Sequence, residues 1–139
     1  MNVGVPKETA EHERRVALIP ATVESLTGRE IGVVVESGAG EGSGHPDAEY
    51  SAAGATVSSA EDAWGAEIVA CVAVPTAERI GSLRRGQVLI GHLAPLTSAE
   101  TNKALATAGV TSFAIEAIPR ITRAQAMDCL LYTSDAADD

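Results

Sequence analysis

Short apolar runs recur along the chain, and they constrain its fold more than any other feature. Ile31-Gly-Val-Val-Val35, Ile68-Val-Ala-Cys-Val72, Val88-Leu-Ile90 and Val110-Thr-Ser-Phe-Ala-Ile115 are brief and rich in β-branched residues. In the first three the run is continuous, without polar alternation, and marks a strand buried on both faces, while Val110 to Ile115 reads as the last strand. Asn2-Val-Gly-Val-Pro6 reads as another such strand, ended by proline, and Thr56-Val57 as a short one. Helix signals lie between them. Pro20 suits a first helical turn, Val23 and Leu26 share one face behind it, and Gly28 is a candidate stop. His45-Pro46-Asp47 opens a helix that runs to Ala53 and stops at Gly54. Ser58 and Ser59 precede Glu61 and Asp62 as a helix start, and Ser98 caps a helix that runs to about Ala108, with Leu105 in the core and Gly109 ending it. Strands that alternate with helices at ~20–30 residue spacing predict parallel β-α-β units, hence an α/β fold: a Rossmann-like, mostly parallel sheet with helices on both faces. No linker or repeat divides residues 1–128, which are expected to form one domain.

The 139 residues suffice for a single core; 45% are hydrophobic but only 3% aromatic, so that core must be aliphatic. A formal charge of −9 repels phosphate backbones and argues against nucleic acid as a partner. An anionic small ligand would need a local cationic cluster, and Arg120 with Arg123 is one. Cys71 and Cys129 show no metal or redox spacing, and Cys71, inside an apolar run, is expected to be a buried free thiol. No metal site is expected. The start of the chain lacks the basic, apolar pattern of a signal peptide, and no apolar run reaches ~18 residues, so a cytoplasmic domain is expected.

Gly38-Ala-Gly-Glu-Gly-Ser-Gly44 follows a strand and precedes a helix, the setting of a dinucleotide fingerprint. The fingerprint also needs glycine at its sixth position, where this chain has Ser43 or His45 depending on register, and Glu36 and Glu41 place negative charge where a pyrophosphate would sit. A structural turn is expected instead. Read from the residues alone, Arg15 forms an ion pair with Glu8 or Glu13. His92 is expected to end a strand and bond locally. The tail, Cys129-Leu-Leu-Tyr-Thr-Ser-Asp-Ala-Ala-Asp-Asp139, breaks the pattern of everything before it and looks like a sequencing-library adapter translated in frame. Residues 129–139 are therefore expected to be a non-native tail, with the codon of Asp128 partly adapter-derived.

Glu116-Ala-Ile-Pro-Arg-Ile-Thr-Arg-Ala-Gln-Ala-Met-Asp128 resembles the loop that contacts the nicotinamide dinucleotide in the NAD(H)-binding component of proton-translocating NAD(P) transhydrogenases. Val5-Pro-Lys-Glu8 and Glu13-Arg-Arg-Val-Ala-Leu-Ile-Pro20 resemble the amino-terminal signature that these enzymes share with alanine dehydrogenase. The resemblance spans residues 1–128. It implies that Arg120 contacts the dinucleotide or a docking partner, that Gln125 orients the ribose or carboxamide, and that Asp128 accepts from ribose hydroxyls or braces the loop. Arg123 would serve phosphate or structure. It further implies NAD(H) as cofactor, with NADP(H) on a partner domain. The implied partners are that NADP(H)-binding domain and a membrane subunit, with a homodimer for the full-length protein peripheral to the inner membrane. The family's glycine-rich fingerprint would lie downstream, so the fold is expected to be incomplete at its C-terminal side and the isolated chain inactive.

The same resemblance offers an alternative, the substrate domain of an NAD-dependent alanine dehydrogenase, in which Arg15 would hold the substrate carboxylate. That chemistry needs a lysine and a histidine to bind pyruvate and move a proton. Ala73 and Ala94 stand at the corresponding positions, and His92 lies two residues early. Direct hydride transfer between two nicotinamides needs neither group, so no catalytic side chain is expected. A third alternative is a non-catalytic docking module.

Overall fold

A computed structural model describes residues 1–119 and 121–127, of which 125–127 are described by backbone alone. The chain forms one six-stranded sheet in the order β3-β2-β1-β4-β5-β6. The strands are β1 (Asn2–Val5), β2 (Gly32–Glu36), β3 (Thr56–Ser58), β4 (Ile68–Ala70), β5 (Val88–Gly91) and β6 (Thr111–Ala114). Every pairing is parallel. The helices are α1 (Pro20–Thr27), α2 (Asp47–Ala52), α3 (Ala60–Trp64), α4 (Ala77–Gly81) and α5 (Ala99–Ala108).

The order of strands decides where the helices go. From β1 the chain steps outward to β2 and β3, then crosses back and steps the other way through β4, β5 and β6. Right-handed crossovers in opposite directions put their helices on opposite faces. Accordingly α1 and α2 cover one face over β1–β3, where Val5, Val23, Val33, Val35 and Tyr50 form a core. On the other face Val69, Ile80, Leu83, Leu89 and Leu105 form a second core, with α4 packed beside α5. The crossover helix α3 lies against β1 and β2 on that second face. It approaches so closely that a Cβ on Gly4 would lie 1.8 Å from the Ala63 carbonyl oxygen.

This arrangement leaves one half-face bare. On the side that carries α1 and α2, the register aligns Val3 with Ile68, Ile68 with Val88, and Ala70 with Ile90 and Phe113. Among the described residues no helix covers β4–β6 there, and Phe113 is 58% exposed. The sheet is Rossmann-like, parallel throughout and carries helices on both faces, as expected.

The caps follow their residues. Ser59, Thr76 and Ser98 each accept from the backbone N–H three residues on, and Gly109 ends α5 in the left-handed region at φ 72°. Gly28 caps α1 at the expected stop, but without the left-handed conformation common there. It keeps a right-handed φ of −65°, and the chain turns instead at Glu30, with φ 63°. The α4 helix was not anticipated. Its only strong local signal is Thr76 as a cap, and Ile80, 2% exposed, is its one buried side chain, so it shows little periodicity. No helix among the described residues is long and apolar enough to cross a membrane.

Candidate functional site

In an open α/β sheet the ligand crevice lies beyond the carboxyl ends of the strands, where the strand order reverses. Here that point falls between β1 and β4. The segments that leave these strands are tied together by carboxylates. Glu8 accepts from the N–H groups of Val72 and Ala73 at 3.0 and 2.9 Å. Glu36, at the end of β2, accepts from the Lys7 N–H at 2.6 Å. Glu116, just after β6, accepts from the Leu93 and Ala94 N–H groups at 2.9 and 3.4 Å. Asp47 takes the Ser37 hydroxyl and the Gly38 N–H at 2.6 and 2.8 Å, and these bonds hold its carboxyl below the usual carboxylate range.

A phosphate at a switch point needs such N–H groups for itself. Each of these is already held by a carboxylate. The crevice between the strand ends, beside Glu8, Trp64 and Arg79, encloses about 60 Å³. That is room for about two waters, not a pyrophosphate. The glycine-rich segment is likewise structural. A Cβ on Gly40 would meet the Tyr50 ring at 2.5 Å, and one on Gly42 would meet the Arg14 backbone at 3.0 Å. These glycines let the turn pack against α2 and the 14–19 segment, while the Tyr50 hydroxyl donates to the Leu18 carbonyl at 2.8 Å.

A larger concavity of about 730 Å³ lies on the bare half-face. Val3, Ile68, Ala70 and Ile90 floor it, Leu26 of α1 flanks it, and Arg15, Ser43 and His92 contribute polar groups. Arg15 takes the ion-pair reading: its Nε and a terminal N–H donate to the two oxygens of Glu13, each at 2.9 Å. The pair holds the Glu13 carboxyl at about 2, chiefly through the side-chain bond to Arg15, and pushes the Arg15 guanidinium up. Arg15 lines the concavity nonetheless, so the two readings are compatible. His92 follows β5 directly and its N–H donates to the Val72 carbonyl at 3.1 Å, a local strand-end bond. Cys71 is a buried free thiol, pushed up to about 12 first by burial and then by Glu8.

After β6 the chain makes a 3-10 turn (Ile115–Ala117) and then a second 3-10 segment (Thr122–Met127). Arg123 is exposed on the second, one residue before Ala124, which is buried at 6%. Arg120 and Asp128 lie outside the described residues, as do the side chain of Gln125 and the whole of 129–139. The bracing glutamates Glu8 and Glu116 were missed as site residues. The only local hint was a glutamate shortly after a strand, which does not say which N–H groups it will reach.

The carboxyl edge of this sheet is thus held by acids rather than opened for phosphate, and residues 4–137 match the family described as alanine dehydrogenase/PNT, N-terminal domain. The chain belongs to that family. The first portion of the NAD(P) transhydrogenase alpha subunit of Rhodospirillum rubrum is 40% identical over 99% of this chain and 38% of its own length. The alanine dehydrogenase of Mycobacterium tuberculosis is 42% identical over 85% of this chain and 32% of its own. The crystal structure of the transhydrogenase from Sinorhizobium meliloti superposes with a TM-score of 0.89 at 45% identity, covering 94% of this chain and 39% of that one. The family domain described here therefore spans well under half the length of these relatives.

Proposed function

We infer that this domain is part of the NAD(H)-binding component of a proton-translocating NAD(P) transhydrogenase. The observation that carries this reading is the chemistry of the strand ends. Where an alanine dehydrogenase would need a lysine and a histidine, this domain has the methyl groups of Ala73 and Ala94, and the N–H of each faces a glutamate. A methyl group can neither bind a keto acid nor carry a proton. What remains suits orientation: an acid-braced edge and a loop that bears Arg120, Arg123, Gln125 and Asp128.

NADH supplies the hydride when bound, and the domain supplies geometry. The filled crevice at the strand ends does not fit a pyrophosphate. The loop residues fit the nicotinamide half. Arg120 binds the dinucleotide or the docking partner, Gln125 orients ribose or carboxamide, Asp128 accepts from ribose hydroxyls, and Arg123 serves phosphate or structure. The NADP(H)-binding domain docks on this loop, and a membrane subunit couples the transfer to proton movement. In this reading the full-length protein is a cytoplasmic homodimer peripheral to the inner membrane, and the isolated chain is inactive. Residues 1–128 form the native domain and 129–139 a non-native tail. The family match runs past that division, so resequencing the source DNA beyond codon 127 is the test of it.

The functional test is enzymatic. The full-length protein, reconstituted with the NADP(H)-binding and membrane components, is expected to move hydride between NADPH and an NAD analogue. Pyruvate- and ammonia-dependent oxidation of NADH would overturn this in favour of alanine dehydrogenase. Binding to the partner component without saturable NADH binding would favour the docking module.

A further inference from the structure

We propose that Glu116 is a positioning residue, which anchors the 117–127 loop to the turn after β5 and so sets the loop's place on the carboxyl edge. The proposal rests on the transhydrogenase reading for its consequence, but not for its geometry. Glu116 sits in the 3-10 turn Ile115–Ala117, at the root of the loop. Its two carboxylate oxygens take two consecutive N–H groups, those of Leu93 and Ala94, from 23 and 22 residues away in sequence. Leu93 is buried in the core beneath α5 at 2% exposure. Ala94 has φ 49°, a left-handed conformation that an alanine adopts only at a cost. The Ala94 carbonyl then accepts from the N–H groups of Thr97 and Ser98, and Ser98 caps α5.

A single carboxylate thus joins a core residue, a strained turn and the start of the loop. An ionised carboxylate is the group for this task, since it offers only acceptors to both N–H donors. Beyond the anchor the loop returns to the body at Ala124, buried at 6%, and carries the half-exposed Ile121 and the exposed Arg123 between these points. With the root released, Arg123 loses the anchor on its amino-terminal side. A misplacement of about 1 Å in a positioning element costs on the order of 10²-fold in rate.

Glu116→Gln tests this in two experiments. The amide keeps one acceptor but turns an N–H donor toward a backbone N–H. In the full chain, limited tryptic digestion read by mass spectrometry follows the Arg123–Ala124 bond against the Lys103–Ala104 bond within α5. Cleavage at Arg123 is expected to rise about tenfold, the factor for losing one hydrogen bond to a charged group, with cleavage at Lys103 unchanged. A parallel rise at both bonds would mean general destabilisation and would overturn the proposal, as would no rise at either. In the reconstituted enzyme, hydride transfer at saturating nucleotides is expected to fall at least tenfold. If the loop is released and transfer is unchanged, the anchor stands and the transhydrogenase reading of the loop is what fails.

Discussion

Gly4 is the position where one added methyl group tests the packing most sharply. It lies in β1, a central strand, beneath α3. A Cβ there would sit 1.8 Å from the Ala63 carbonyl oxygen, 2.8 Å from its carbonyl carbon and 3.0 Å from the Ala66 Cβ. Ordinary carbon contacts are about 3.5–4 Å, so β1 and α3 must separate by more than about 1 Å. Neither is the free end of a flexible side chain, and Ala63 is fully buried. Overpacking of this severity costs about 3 kcal/mol or more, against a total stability of about 5–15 kcal/mol for a domain. Gly32, on the neighbouring strand and paired with Asn2, is the control. A Cβ there meets nothing nearer than 3.6 Å, so Gly32→Ala is expected to be neutral or stabilising by about 0.5–1 kcal/mol. Equilibrium urea unfolding followed by circular dichroism measures both. With a slope of about 1–3 kcal/mol per M, Gly4→Ala should lower the midpoint by about 1–3 M or prevent folding, at unchanged slope. A drop below about 0.5 M, or equal effects at the two glycines, would refute the close approach of α3.

Glu13 is held at about 2 by Arg15, below its ordinary 4.5, so its contribution is present above pH 4.5 and lost as pH falls through about 2. Carboxyl NMR titration should show Glu13 still ionised at about pH 3.5, and Arg15→Gln should return its midpoint toward 4.5. The Cys71 thiol, pushed up to about 12, should resist a thiol reagent at pH 8 in the folded protein and react once urea unfolds it. Rapid reaction in the native state would contradict its burial. The bare half-face over β4–β6 should bind a hydrophobic dye, and Ile68→Ser with Ile90→Ser should abolish most of that fluorescence. Unchanged fluorescence would place the exposed apolar surface elsewhere.

The alternation of apolar runs and capped polar stretches was sufficient for an α/β fold, because burying a strand on both faces and closing a helix with a capping side chain are local matters. All six strands lie within a few residues of the runs that announced them. Gly54 and Gly109 stop their helices with positive φ, as short-range sterics require. Gly28 also ends its helix, but with a right-handed φ, and the left-handed turn falls two residues later on Glu30, where no local rule favours it. The resemblance carried by Arg120 to Asp128 and by the Val5 to Pro20 segment likewise belongs to sequence, and it named the family that the comparisons show.

Tertiary structure alone decided how the acids are used. Glu8 reaches Val72 and Ala73 across more than sixty residues, and Glu116 reaches Leu93 and Ala94. No spacing rule connects such pairs, because the strand order that brings them together is set by crossover handedness and the reversal between β1 and β4. The same reversal filled the switch-point crevice with carboxylates and, among the described residues, left one half-face of the sheet without a helix. A sequence states which residues are acidic or apolar; only the order of the strands determines which N–H group each acid meets and which apolar face is left uncovered.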